Sequence, residues 1–239
     1  IESHSISVVP LVRRYVNHFW RLLHSLKIPF VTLLDFDIDR NGGGYGRIKY
    51  AVEQLAEMEK RGSKYIHKGI ISHIPDWTDS TDPNLFTVPF KSGVKKNIVQ
   101  ELEVCNVFFS GPLDIDYSMI CAFPEVFCQK DESYGERGPS EGKEDEEDDD
   151  QAKREEALIK AVLKKGNAGK RFGFGDHWER NFLWYRYRFL SNKSKPASHV
   201  RMFSKLEEQY TAEQIKEKLP PELKRLAVRV IHMAEQVIE

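Results

Sequence analysis

The apolar run Phe30-Val31-Thr32-Leu33-Leu34 ends on three acids in five residues, Asp35-Phe36-Asp37-Ile38-Asp39, and Gly42-Gly43-Gly44 follows at once. Such unbroken hydrophobicity predicts a strand buried on both faces, as in the interior of a parallel sheet. From Gly46 to Lys60 the residues Ile48, Val52, Leu55 and Met58 recur at helical spacing. Upstream, Ser5-Ile6-Ser7-Val8-Val9 reads as a buried strand ended by Pro10. Val16 to Leu26 then reads as a helix through Phe19, Leu22, Leu23 and Leu26. Strand, helix, strand, helix predicts an α/β fold.

Further along, His73-Ile74-Pro75-Asp76-Trp77 and Asp82-Pro83-Asn84 are loop signals. Asn106-Val107-Phe108-Phe109 reads as a third strand, ended by Ser110-Gly111-Pro112, and a helix is expected from Leu113 toward Phe123-Pro124. Helices are also expected over Glu155 to Lys165, over the aromatic stretch Phe182 to Leu190, and as a pair within 205–239 divided by Pro220-Pro221. The expected organisation is an α/β core over 1–128, an acidic linker or excursion over 129–152, and a helical region over 153–239.

Charge supports that division. The chain of 239 residues has a net charge of −1, but residues 130–156 hold thirteen acids against five bases, a net of −8, which leaves +7 for the remainder. A block this acidic is expected to be solvated and mobile. A mildly basic remainder permits nucleic-acid binding. No run of about 18 apolar residues exists, so no membrane-spanning helix is expected. Cys105, Cys121 and Cys128 have no C-x-x-C spacing, which argues against a disulfide scaffold or zinc site and suits a cytoplasmic location. The absence of an initiating Met suggests a piece of a larger protein.

In open α/β sheets, ligands bind at the carboxyl ends of the strands. Asp35 and Asp37 stand at such an end, and in a continued strand their side chains would point the same way. Two hard oxygen donors there suit Mg²⁺ or Mn²⁺; a simple turn is the plainer reading. The glycines with Arg47 open a helix, where backbone N–H groups could meet a phosphate; a tight turn is again the alternative. Asp114 and Asp116 repeat the arrangement after Phe109, or Asp114 caps a helix. Lys195, between Ser194 and Pro196 with His199 nearby, is expected in a polar loop.

The stretches Val16-Asn17-His18-Phe19-Trp20-Arg21-Leu22-Leu23, Thr32-Leu33-Leu34-Asp35-Phe36-Asp37 and Gly42-Gly43-Gly44-Tyr45-Gly46-Arg47-Ile48-Lys49-Tyr50 resemble the carboxyl-terminal Toprim nuclease region of OLD (overcoming lysogenization defect) family proteins, class 2. Phe108-Phe109-Ser110-Gly111-Pro112-Leu113-Asp114-Ile115-Asp116 extends the resemblance, as does Tyr185-Arg186-Tyr187-Arg188-Phe189-Leu190 with Ser194-Lys195-Pro196 and His199. It covers most of 5–125 and 180–200. It implies a Toprim (Rossmann-like) parallel sheet flanked by helices, with a small helical domain attached. It also implies metal-dependent DNA cleavage with two Mg²⁺ or Mn²⁺ ions. Asp35, Asp37, Asp114 and Asp116 would then ligate metal, with Ser110 close by, and Lys195 would be the catalytic lysine. Arg13, Arg14, Arg40, Arg47 and Gly42 to Gly44 would contact phosphates, with His18 and His199 in support. The implied partners are DNA and an amino-terminal ABC-type ATPase region of the same protein, with a homodimer formed through the full-length protein.

Family members also carry a glutamate after their first core strand. That strand would lie upstream of Ser5–Val9; Glu2 is too close to Ser5–Val9 to serve and no other glutamate precedes it, so the first core strand is expected to be missing here or the metal site to be incomplete. This favours an alternative, a catalytically idle Toprim module that binds nucleic acid or a partner subunit. A HAD-type phosphotransferase is a third reading, in which Asp35 would be a nucleophile. Asp39 stands where that family usually has Thr or Val, and the three glycines are unexplained by it.

Overall fold

The computed structural model describes residues 6–11, 16–38, 40, 42–60, 99, 102–130, 132, 135, 137–140, 148–164, 174–191 and 195–236. Among them the chain is mostly helical, around a small parallel sheet of two strands. In order these are α1 (Asn17–Ser25), β1 (Thr32–Asp35), α2 (Tyr45–Lys60), β2 (Val107–Ser110), α3 (Ile115–Ala122), α4 (Pro124–Phe127) and α5 (Asp148–Leu163). Then come α6 (Trp178–Tyr185), one wide π-helical turn (Arg186–Leu190), α7 (Lys195–Gln209), α8 (Ala212–Lys218) and α9 (Pro221–Gln236). No described helix is long and apolar enough to cross a membrane.

β1 and β2 pair in parallel, with Thr32 abreast of Val107 and Asp35 abreast of Ser110. Both acidic loops therefore leave the sheet at the same edge. At the other edge, Trp20 of α1 donates its indole N–H to Thr32 Oγ1 at 2.8 Å. One hydrophobic cluster runs from Val16 through Phe36, Ile48, Phe109, Tyr117 and Phe182 to Leu223. The helices after residue 153 thus close over the same core as the sheet. Tyr117 on α3 meets Phe174, Phe182 and Tyr185 edge to face, with ring centres 5.4 to 6.1 Å apart.

Several expectations need correction. Residues 6–10 form no strand and Ile6, Val8 and Val9 are exposed; they have no neighbouring strand to pair with among the described residues. Leu33 and Leu34 are only partly buried, since β1 has a described strand neighbour on one side alone. The acidic stretch is not wholly irregular. α5 spans Asp148–Leu163, so the end of the acidic stretch is helical. Lys153 supports its first turn by pairing with Asp150 at 3.2 Å. Residues 141–147 lie outside the described part.

Lys195 is not in a loop but is the first residue of α7, and Pro196 suits a first helical turn because its missing N–H has no partner to lose there. The carboxyl-terminal stretch holds three helices rather than two. Thr211 and Gln214 form a capping box that separates α7 from α8, ahead of the break at Pro220.

The glycine turn is shaped by packing. Gly43 is buried, and a Cβ built on it would stand 1.7 Å from the Asp37 carbonyl oxygen. Gly43→Ala is therefore expected to lower stability by about 3 kcal/mol or more, the upper range for overpacking. A urea titration with an unshifted midpoint would show that the loop yields easily.

Candidate functional site

The two acidic loops are built differently. Asp35 closes β1 and is exposed. The chain then turns: Phe36 N–H still bonds Ser110 O at 2.9 Å, and Asp37 N–H bonds Leu113 O at 2.7 Å, tying the loop to the far side of β2. Asp37 itself takes a left-handed backbone, φ +53°, which aspartate tolerates better than most residues. The strand does not continue, so the geometric premise for Asp35 and Asp37 sharing a face is absent. Asp37 is 6% exposed. Arg40 Nη1 donates to its Oδ1 at 2.6 Å, and Arg47 Nη2 donates to its Oδ2.

Asp114 caps α3, its Oδ1 accepting the Tyr117 N–H at 3.0 Å. Its Oδ2 accepts the Tyr185 hydroxyl, and Arg40 Nη1 stands 3.7 Å from the same oxygen. Burial pushes the Asp114 carboxyl above its ordinary value, Asp116 adds to the rise, and Tyr185, Tyr117 and Arg40 oppose it. Asp116, in the first turn of α3, meets His199 Nε2 at 2.7 Å. The His199 ring also lies against Phe189, 5.2 Å between ring centres.

Arg40 joins these parts. Its Nε and Nη2 donate to Val162 O at 3.2 and 3.0 Å, and Nη2 reaches the Tyr185 hydroxyl at 3.2 Å. Burial works against its charge, but Tyr185, Asp37 and Asp114 outweigh that and hold its pKa above the ordinary arginine value.

The remaining predicted residues fall in several places. Ser110 is fully buried, with its hydroxyl 3.1 Å from that of Ser118. Gly42 is exposed, while Gly43 and Gly44 are buried with N–H groups spent on Arg40 O and Phe36 O at 2.8 and 2.7 Å. Those two amides hold the turn itself. His18 is exposed on α1, which is anchored at the opposite end of β1 from Asp35. Lys195 precedes His199 by one helical turn, which sets both residues on one side of α7. The Lys195 side chain, Arg13, Arg14 and Ser194 lie outside the described part.

Three participants carried no expectation. Tyr185 and Ser118 were visible only as members of an aromatic helix and a buried helix. Glu222, in the first turn of α9, reaches Ser118 Oγ with Oε1 at 3.2 Å and gave no local signal beyond following two prolines.

A pair of divalent ions does not fit the acidic residues as arranged. Both Asp37 oxygens are held by arginines, both Asp114 oxygens by Tyr117 and Tyr185, and Asp116 meets His199. Among the described residues no group of three or more histidine, cysteine, aspartate and glutamate side chains is placed to hold a metal ion.

Glu222 offers a test through pH. Burial pushes its carboxyl above the ordinary value, against opposing hydrogen bonds from Ser118 and the Gly111 N–H. The Ser118 hydroxyl has one proton and also stands 2.8 Å from Gly111 O, so a protonated Glu222 could donate to it instead. Between the unfolded and folded pKa values the folded chain binds this proton more tightly, so stability falls as pH rises through that window. Glu222→Gln, with no proton to lose, is expected to gain stability relative to the native chain as pH rises above the ordinary glutamate value of about 4.3. Denaturant titrations showing no change in that difference as pH rises would refute the assignment.

Comparison of the chain with known protein families, with curated proteins and with solved structures finds no match.

Proposed function

We infer that this chain is the nuclease region of a larger protein, a Toprim-type module that hydrolyses DNA phosphodiester bonds with Mg²⁺ or Mn²⁺. The observation that carries the reading is the paired sheet edge. Two parallel strands in register, Asp35 abreast of Ser110, each lead into a loop bearing an acidic pair. That is the edge at which α/β sheets bind ligands.

A divalent ion would supply the positive charge that phosphodiester attack requires only once Asp37 and Asp114 give up the contacts they make here. In this reading the exposed Asp35 faces the incoming substrate, and the Asp116–His199 pair draws the start of α7, with Lys195, toward the second acidic loop. Lys195 would neutralise charge growing on the phosphoryl oxygens. Arg40 is not a surface contact for DNA, because its side chain is only 12% exposed and turned onto Asp37. The ATPase region of the same protein is the partner this reading requires.

An idle module is the second reading, and one observation favours it: Arg40 and Arg47 already neutralise Asp37. Supercoiled plasmid separates the two. The nuclease reading expects Mn²⁺- or Mg²⁺-dependent nicking that EDTA stops and Asp35→Ala abolishes. Lys195→Ala should keep DNA binding and lose about 10²–10³ in rate. DNA retention without any nicking by the native chain would establish the idle module.

A further inference from the structure

The outward side of α7 carries a surface that the acidic loops do not account for. Val200 is 67% exposed and Phe203 50%, and they stand one helical turn apart, so they form one apolar strip rather than two scattered contacts. Phe203 is also the open end of a column of rings. Phe189 of the wide turn lies against His199 with 5.2 Å between ring centres, and His199 lies 6.4 Å from Phe203. Their planes are tilted by 32° and 40°, nearer to parallel than the edge-to-face contacts around Tyr117 in the core. Phe189 is buried, His199 half-buried and Phe203 exposed, so the column leads from the core out to solvent.

Charge selects the kind of occupant. From Lys195 to Leu206 the helix holds three bases, Lys195, Arg201 and Lys205, and no acid. Arg201 folds back along the helix toward its start, with Nε on Ala197 O at 3.4 Å. Rings set among cations are what single-stranded nucleic acid requires, since bases stack on the rings and phosphates meet the charge. A duplex cannot use such a ring, because its base faces are already stacked on one another. The column also borders the second acidic loop, where His199 meets Asp116 at 2.7 Å.

We propose that the outward face of α7 is a platform for single-stranded nucleic acid: Phe203 stacks an unpaired base at the open end of the Phe189–His199 column, and the bases of α7 hold the flanking phosphates. The proposal rests on the DNA-cleaving reading above and narrows its substrate to DNA with unpaired nucleotides. The contact itself needs no metal ion.

The test uses the full chain in EDTA, so that binding is read apart from cleavage. The probes are a fluorescein-labelled oligothymidylate of about 15 nucleotides and the same strand annealed to its complement, both followed by anisotropy. The single strand is expected to bind more tightly than the duplex. Phe203→Ala is expected to weaken single-strand binding about tenfold and to leave the duplex unchanged. Phe203→Leu, apolar but without a ring, should behave as Phe203→Ala, and Phe203→Tyr as the native chain. Equal single-strand affinity in the native chain and Phe203→Ala overturns the platform, and so does a native chain that binds no single strand. A dimer that Phe203→Ala dissolves, with no oligonucleotide bound, assigns the face to a second copy and also overturns it. If Phe203→Ala loses its cooperative urea transition, the Phe203→Leu and Phe203→Tyr pair decides. Single-strand binding that depends on Phe203, with no plasmid nicking by the native chain in Mn²⁺, keeps the platform and removes the cleavage reading. Nicking with unchanged binding by Phe203→Ala does the reverse.

Discussion

A charged guanidinium taken out of water costs several kcal/mol unless partners replace its hydration. Arg40 obtains those partners from four separate stretches of chain: Asp37 in its own loop, Asp114 ahead of α3, Val162 in α5 and Tyr185 in α6. The same contacts help to compensate the two buried carboxylates. The edge of the sheet, the start of α3 and the placement of α5 thus depend on one side chain. The Arg47–Asp37 pair and the Tyr185–Asp114 hydrogen bond complete the network around it.

The backbone elements near the site were largely legible, and the side-chain directions were not. The apolar runs before Asp35 and Ser110 mark β1 and β2, and the spacing of Ile48, Val52, Leu55 and Met58 marks α2. Which way Asp37 points depends on a left-handed residue just after the strand, and no pattern of hydrophobicity encodes that. Asp114 had two plausible roles, and the cap is what the backbone uses. Lys195 was misplaced because Pro196 reads as a loop signal, although proline is also at home in a first helical turn. The Thr211–Gln214 box was present in the sequence as a Thr-x-x-Gln spacing and divides what reads as one continuous helix. Glu222 joins Ser118 across 104 positions, a tertiary fact with no local trace.

The glycines illustrate how one sequence pattern serves two purposes. Three in a row with a helix behind them suggest an anion cradle, yet Gly43 and Gly44 direct their N–H groups at Arg40 O and Phe36 O. The close approach of Gly43 to the Asp37 carbonyl lets the chain double back quickly enough to bring Arg40 under Asp37. In this fold the glycine turn acts through the position it gives an arginine.

The span of these contacts bears on how the protein is made. Arg40 meets Val162 across 122 positions and Tyr185 across 145. During synthesis the β1 loop leaves the ribosome well before either partner has been translated. For that interval Asp37 must be served by water, by solution ions or by Arg47 alone. The edge of the sheet therefore acquires its final charge balance only when the carboxyl-terminal helices arrive, and a nascent chain stalled between α4 and α5 would present the β1 loop in a different electrostatic state from the finished protein.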